Sequence, residues 1–129
     1  MKTFIVKCQL EKVLAMKSGS YIPQRGDIVW LNFNPQKGHE QRGKRPAVIL
    51  SPKIYNEKTS LCLCLPITSK KKGYPFEVAL PSSLPIEGVV LTDQIKSLDF
   101  SVRDITYICK APNKMIQDIQ KNVLALIVE

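Results

Sequence analysis

"DIVWLNFNPQKGHEQRGKRPAVIL", residues 27–50, is the stretch on which the fold reading turns. In "DIVWLNF" (27–33) alternation places Val29, Leu31 and Phe33 on one face and Ile28 and Trp30 on the other, the period of a strand. Residues 34–46 then form a polar connection thirteen residues long. Connections of that length in a small domain are usually functional or mobile. The chain returns to an apolar run at "AVILS" (47–51). Pro46 at the joint biases Arg45 away from helical angles toward an extended conformation. Arg45 is therefore expected at the foot of the second strand, with Glu40 and His39 further out on the loop.

Short strand-like runs continue outward from this pair: "LCLCLPI" (61–67), "PFEVAL" (75–80), "GVVLTDQI" (88–95) and "ITYIC" (105–109). Glycine, proline, asparagine and lysine clusters separate them. After Pro112, Met115, Ile116, Ile119, Val123 and Leu126 recur at helical spacing. This order predicts a mainly β fold, a small antiparallel barrel with a C-terminal helix packed on it. A hairpin joining 47–51 to 61–67 about Asn56 and Glu57 sets Ala47 opposite Pro66, Ile49 opposite Cys64 and Arg45 opposite Thr68. Directly opposed side chains interact, so a guanidinium and a hydroxyl are expected together at one end of the sheet. Val48, Leu50, Leu63, Val89, Leu91, Ile119 and Val123 read as core or subunit seam, and Phe76 as core.

The chain has 129 residues, 44% hydrophobic and 23% charged, the composition of one globular domain rather than a disordered segment. Its net charge of +8 points to a polyanionic or acidic partner. No stretch approaches the roughly 18 apolar residues of a membrane span, and Lys7, Glu11 and Lys12 interrupt any signal-like core, so a cytoplasmic protein is expected. Met16 offers a second start. Residues 1–20 are accordingly read as an extension of uncertain role, and 21–129 as the functional domain. Four cysteines and one histidine make neither a disulfide framework nor a zinc site. Cys62 and Cys64 alternate along a strand and read as buried thiols.

Three segments taken together, "RGDIVWLNFNPQKGHEQRGKRPAVILSPKIYN", "LCLCLPITSKKKGYPFEV" and "GVVLTDQIKSLD", resemble the MazF/PemK family of toxin endoribonucleases. The likeness spans roughly residues 21–129. It rests on G-D-I-V, E-Q-x-G-x-R-P, P-I-T-S and D-Q-I-K-S-L-D occurring in that order. The resemblance implies an SH3-like antiparallel β-barrel, the MazF/PemK/CcdB-like toxin fold, in a homodimer. It implies metal-independent, sequence-specific cleavage of single-stranded RNA with no cofactor, inhibiting translation and growth. A cognate antitoxin as partner is implied too, and through it an indirect association with DNA. Arg45 and Thr68 match the pair usually assigned to catalysis, and Glu40 a glutamate implicated in activity in some members. Gln94 and Lys96 fall in a segment that helps line the RNA groove.

The residue types suit that chemistry. RNA supplies its own nucleophile, the ribose 2′-OH, so a site has to align it, take its proton, stabilise the crowded phosphorane and protonate the departing 5′-oxygen. The products expected are a 2′,3′-cyclic phosphate and a 5′-OH. Arg45 offers a planar fork of donors with a permanent charge, suited to stabilisation more than to moving a proton. Thr68 can hydrogen-bond the phosphate or the 2′-OH. Glu40, with a reference pKa of about 4.3, is the better-matched base. His39, at about 6.5, is its rival. In "TSKKKGYPF" (68–76), Ser69 and Lys70 are expected on phosphate, with Lys71 and Lys72 adding charge and Tyr74 or Phe76 available to stack. Gln94 and Lys96, read two apart on one strand, would share a face toward a base edge and a phosphate. Two other readings stay open: a non-enzymatic toxin on a related scaffold, and an RNA-binding module without nuclease chemistry. The gyrase-inhibiting toxins depend on a C-terminal tryptophan, whereas this chain ends "LALIVE".

Overall fold

The computed structural model describes residues 21–34, 38 and 43–128. Seven strands are described: β1 (Asp27–Asn32), β2 (Lys44–Ile49), β3 (Leu61–Thr68), β4 (Glu77–Ala79), β5 (Val89–Leu91), β6 (Lys96–Asp99) and β7 (Thr106–Lys110). Helix α1 (Lys53–Thr59) joins β2 to β3, and α2 (Asn113–Ile127) closes the chain. The strands run β4-β5-β3-β2-β1-β7, with β6 also paired to β3. All pairings are antiparallel. Strand β3 is the hinge of the architecture. It pairs β2 and β6 through its first two thirds, then β5 through Ile67 and Thr68, so the sheet curls over itself into a barrel-like form.

Alternation along the strands feeds two cores, one on each side of the sheet. Val29, Leu31, Phe33, Ala47, Ile49, Cys62, Cys64 and Phe100 form one. Ile28, Val48, Leu65, Ile67 and Val90 form the other with α2, which contributes Met115, Ile119 and Val123 at i, i+4 and i+8. Leu126 lies outside that stripe and is exposed, as are Leu124, Ile127 and Val128. Leu63 is also exposed, on the outer face of β3, while Leu50 is half-buried.

Three expectations are corrected. The expected pairing of β2 with β3 holds, but the connection between them is a helix, which the alternation did not indicate. Pro52 caps it, and Ser60 ends it in a left-handed conformation. Asn56 is fully buried there because its amide donates to Pro23 O at 2.8 Å and Ser51 O at 3.2 Å, while Ser51 Oγ donates to its Oδ1. Secondly, residues 88–95 are not one strand. Gln94 N–H bonds Leu91 O at 3.1 Å, closing a turn after which β6 starts at Lys96. Thr92 fixes that turn by donating its hydroxyl to Phe76 O. Phe76, finally, is half-buried against Tyr74, with ring centroids 5.3 Å apart, rather than part of either core.

Cys62, Cys64 and Cys109 are free thiols. A hydrogen bond with Cys62, and secondly burial, holds the Cys64 thiol well above its ordinary value of 9.0. The native chain therefore keeps a proton that the unfolded chain releases above about pH 9, so stability is full below that pH and falls as pH rises past it. Urea midpoints measured between about pH 8 and 10 should decline, and Cys64→Ala should flatten the decline. A variant as steep as the parent would remove Cys64 from the account. No helix among the described residues is long and apolar enough to cross a membrane.

Candidate functional site

Strand β2 starts three residues earlier than expected, at Lys44, so Arg45 lies within the ladder and pairs with Leu31 of β1. On its other side the register is the expected one, Ala47 opposite Pro66 and Ile49 opposite Cys64. That ladder ends at Ala47 and Pro66, and beyond it Ile67 and Thr68 pair with Val90 and Val89 of β5. Thr68, paired there with Val89, is only 5% exposed. Its hydroxyl oxygen accepts from Lys70 N–H at 3.2 Å, leaving the hydroxyl proton available to donate.

The backbone behind Thr68 is tightly filled. Gly88 sits at φ +135°, and a Cβ there would lie 2.4 Å from Thr68 O. Only glycine tolerates both that conformation and that approach. The loop after Thr68 is gathered by Glu77, whose carboxylate accepts from Lys72 N–H and Gly73 N–H, the latter at 2.9 Å. Lys70, Lys71 and Lys72 are exposed, and Tyr74 is 50% exposed.

Both stems of the long charged loop are held. Arg103 Nη1 donates to Asn32 O at 3.1 Å and Asn34 O at 2.8 Å, and Arg103 O accepts from Asn32 N–H. Asn34 Oδ1 accepts from Gly43 N–H at 2.9 Å, and Lys44 pairs with Asp104 at 3.1 Å. The loop's apex, with Glu40 and His39, lies outside the described residues.

A cavity of about 480 Å³ opens where Arg45 and Ser69 meet. Trp30, Pro46 and Ile67 line it together with Lys44, Ile86 and Glu87. The structure thus brings Arg45 and Ser69 to one cavity, with Thr68, the last residue of β3, next to Ser69 in the chain but not in the lining. Gln94 and Lys96 lie elsewhere. Lys96 pairs with Cys64, four residues back along β3, which is roughly 13 Å at strand rise. Both are half-buried, and the turn at Gln94 takes it off the strand. Trp30, Glu87 and Gly88 had no role in the sequence reading. Trp30 carried a partial signal, falling opposite the Val29–Leu31 core face, but the approach of the β4–β5 connection carried none. No group of three or more His, Cys, Asp or Glu side chains that could hold a metal occurs among the described residues.

Known proteins are similar to this chain in sequence and fold. The endoribonuclease toxin MazF of Escherichia coli K12 is 54% identical over 86 residues, 67% of this chain and 77% of that protein. The crystal structure of MazF (Form-I) from Deinococcus radiodurans superposes with a TM-score of 0.82 at 45% identity, covering 85% of this chain and 100% of that one. The MazE–MazF crystal structure (Form-II) from the same organism gives 0.75 at 40% identity, covering 84% and 98%. A barrel-like sheet with these relatives is the fold of an endoribonuclease toxin. The chain belongs to the PemK-like, MazF-like toxins of type II toxin–antitoxin systems, whose sequence profile matches residues 24–127.

Proposed function

We propose that the chain cleaves single-stranded RNA at short sequence motifs without a metal ion, through attack of the ribose 2′-OH. The observation that supports this reading is the cavity lined by Arg45 and Ser69, with Thr68 preceding Ser69 at the end of β3. In the step envisaged, the 2′-oxygen bonds to phosphorus as the bond to the 5′-oxygen breaks. The 2′-OH proton passes to the Glu40 carboxylate, and the 5′-oxygen takes a proton from solvent water as it leaves. Arg45 donates to the non-bridging oxygens, where negative charge grows. The Thr68 hydroxyl donates to the same phosphate and orients it. Ser69 and Lys70 hold the following phosphate, while Gln94 and Lys96 contact the strand further along β3. The products are a 2′,3′-cyclic phosphate and a 5′-OH.

Incubating the protein with defined single-stranded RNAs in excess EDTA and mapping both ends tests this. Cyclic phosphate with 5′-OH ends is expected; cleavage that needs added metal, or ends of another kind, defeats it. With a net charge of +8, binding should weaken steeply with salt, the logarithm of affinity falling linearly with that of salt concentration. A flat response would contradict phosphate contacts by Lys70 and Lys96.

The same charge suits an acidic, partly disordered antitoxin that folds on binding, and the D. radiodurans MazE–MazF complexes support an antitoxin as partner. A cytoplasmic homodimer, cleaving messenger RNA and so halting translation and growth, completes the reading, with DNA reached only through the antitoxin.

A further inference from the structure

We propose that the cavity beside Arg45 is a nucleobase subsite, in which Trp30 stacks on a base flanking the reacting phosphate and Glu87 accepts hydrogen bonds from its amino edge. This deepens the reading of the site as an RNA-cleaving centre and rests on it. Trp30 lies mid-strand, between Pro46 on β2 and Thr106 on β7, yet is 38% exposed while its neighbours Val29 and Leu31 are fully buried. An indole fixed between two ladders loses little freedom when a ring settles on it. Trp30, Pro46 and Ile67 belong to three adjacent strands and share a face, giving the cavity an apolar floor. Its volume of about 480 Å³ falls within the range of small-ligand sites.

The charges are divided in a way that suits a nucleotide rather than a bare phosphate. Arg45 supplies a cation where the cavity meets the strand ends, Lys44 lines it with its ammonium paired to Asp104, and Glu87 brings in a carboxylate from the β4–β5 connection. A carboxylate among phosphate contacts repels them, and it has no proton to donate. Its fitting partner is a donor edge. Adenine, cytosine and guanine carry exocyclic amines, and uracil does not. The subsite therefore favours an amino-bearing base over uracil.

Trp30 is the sole tryptophan, so intrinsic emission reports on this cavity alone. The probes are single-stranded deoxyadenylate, deoxycytidylate and deoxyuridylate oligomers, which lack the attacking hydroxyl and remain intact. Saturable quenching is expected, stronger and at lower concentration for the amino-bearing oligomers. Trp30→Ala should weaken binding of those oligomers roughly 5- to 100-fold by fluorescence anisotropy, with Trp30→Phe close to the parent. Glu87→Gln should narrow the gap between deoxycytidylate and deoxyuridylate. Oligomers that bind the unaltered protein without changing Trp30 emission overturn the subsite, as does Trp30→Ala binding at parental strength. RNA cleaved normally with emission unchanged defeats only this subsite. Quenching by oligomers with no cleavage of RNA defeats only the nuclease reading.

Discussion

Arg45→Ala is expected to lower the cleavage rate about 100- to 1,000-fold, equivalent to about 3–4 kcal/mol of transition-state stabilisation, while the fold persists. Arg45 holds its place in the sheet through backbone pairing with Leu31, and that pairing survives loss of the side chain. What disappears is the planar fork of donors that the proposed mechanism assigns to the phosphorane. Arg45→Lys keeps the charge and loses the fork, so it should recover only part of the rate. Single-turnover cleavage beside a thermal unfolding curve separates the outcomes. Normal cleavage by Arg45→Ala removes it from the chemistry, and an unfolded variant makes its role structural.

The second large effect is expected from a residue that carries no side chain. Gly88→Ala places a methyl 2.4 Å from Thr68 O and 3.3 Å from Ile67 Cγ2, at a backbone φ of +135°. Leu80 N–H bonds Gly88 O at 3.0 Å and Val89 pairs with Thr68, so Gly88 has little room to withdraw. Thr68 must move instead. Strain of this kind costs on the order of 1–3 kcal/mol of stability. A displacement approaching 1 Å at a reacting group costs roughly 100-fold in rate. Urea unfolding and cleavage measured on the same preparation should therefore both fall. A stable variant with parental activity would mean that the position of Thr68 is immaterial.

These two residues differ in how readily the chain discloses them. Arg45 was legible because Pro46 and the alternation of 47–51 place it, and because counting across to 61–67 yields the observed register. Gly88 was not, since its importance is an approach between segments twenty residues apart. The same limit explains the misreadings. "KIYNEKT" (53–59) lacks a strong helical pattern and is held by the buried Asn56, whose partners Pro23 and Ser51 come from elsewhere. "GVVLTDQI" looks continuous, yet the Thr92 hydroxyl finds Phe76 O and the chain turns. Periodicity describes a segment's own faces and is silent about what approaches them.

Alternation and proline placement by themselves determined that this is a strand-rich barrel with a terminal helix, and which strand faces are apolar. Motif order determined its family. Tertiary structure alone decided that Thr68 pairs with β5, that Arg103 pins the stem of the charged loop, and that Trp30 and Glu87 line one cavity. The division follows from range. Local backbone preferences are written into neighbouring residues, whereas a cavity is defined by walls distant along the chain that meet only after β3 has bent from one sheet into the other.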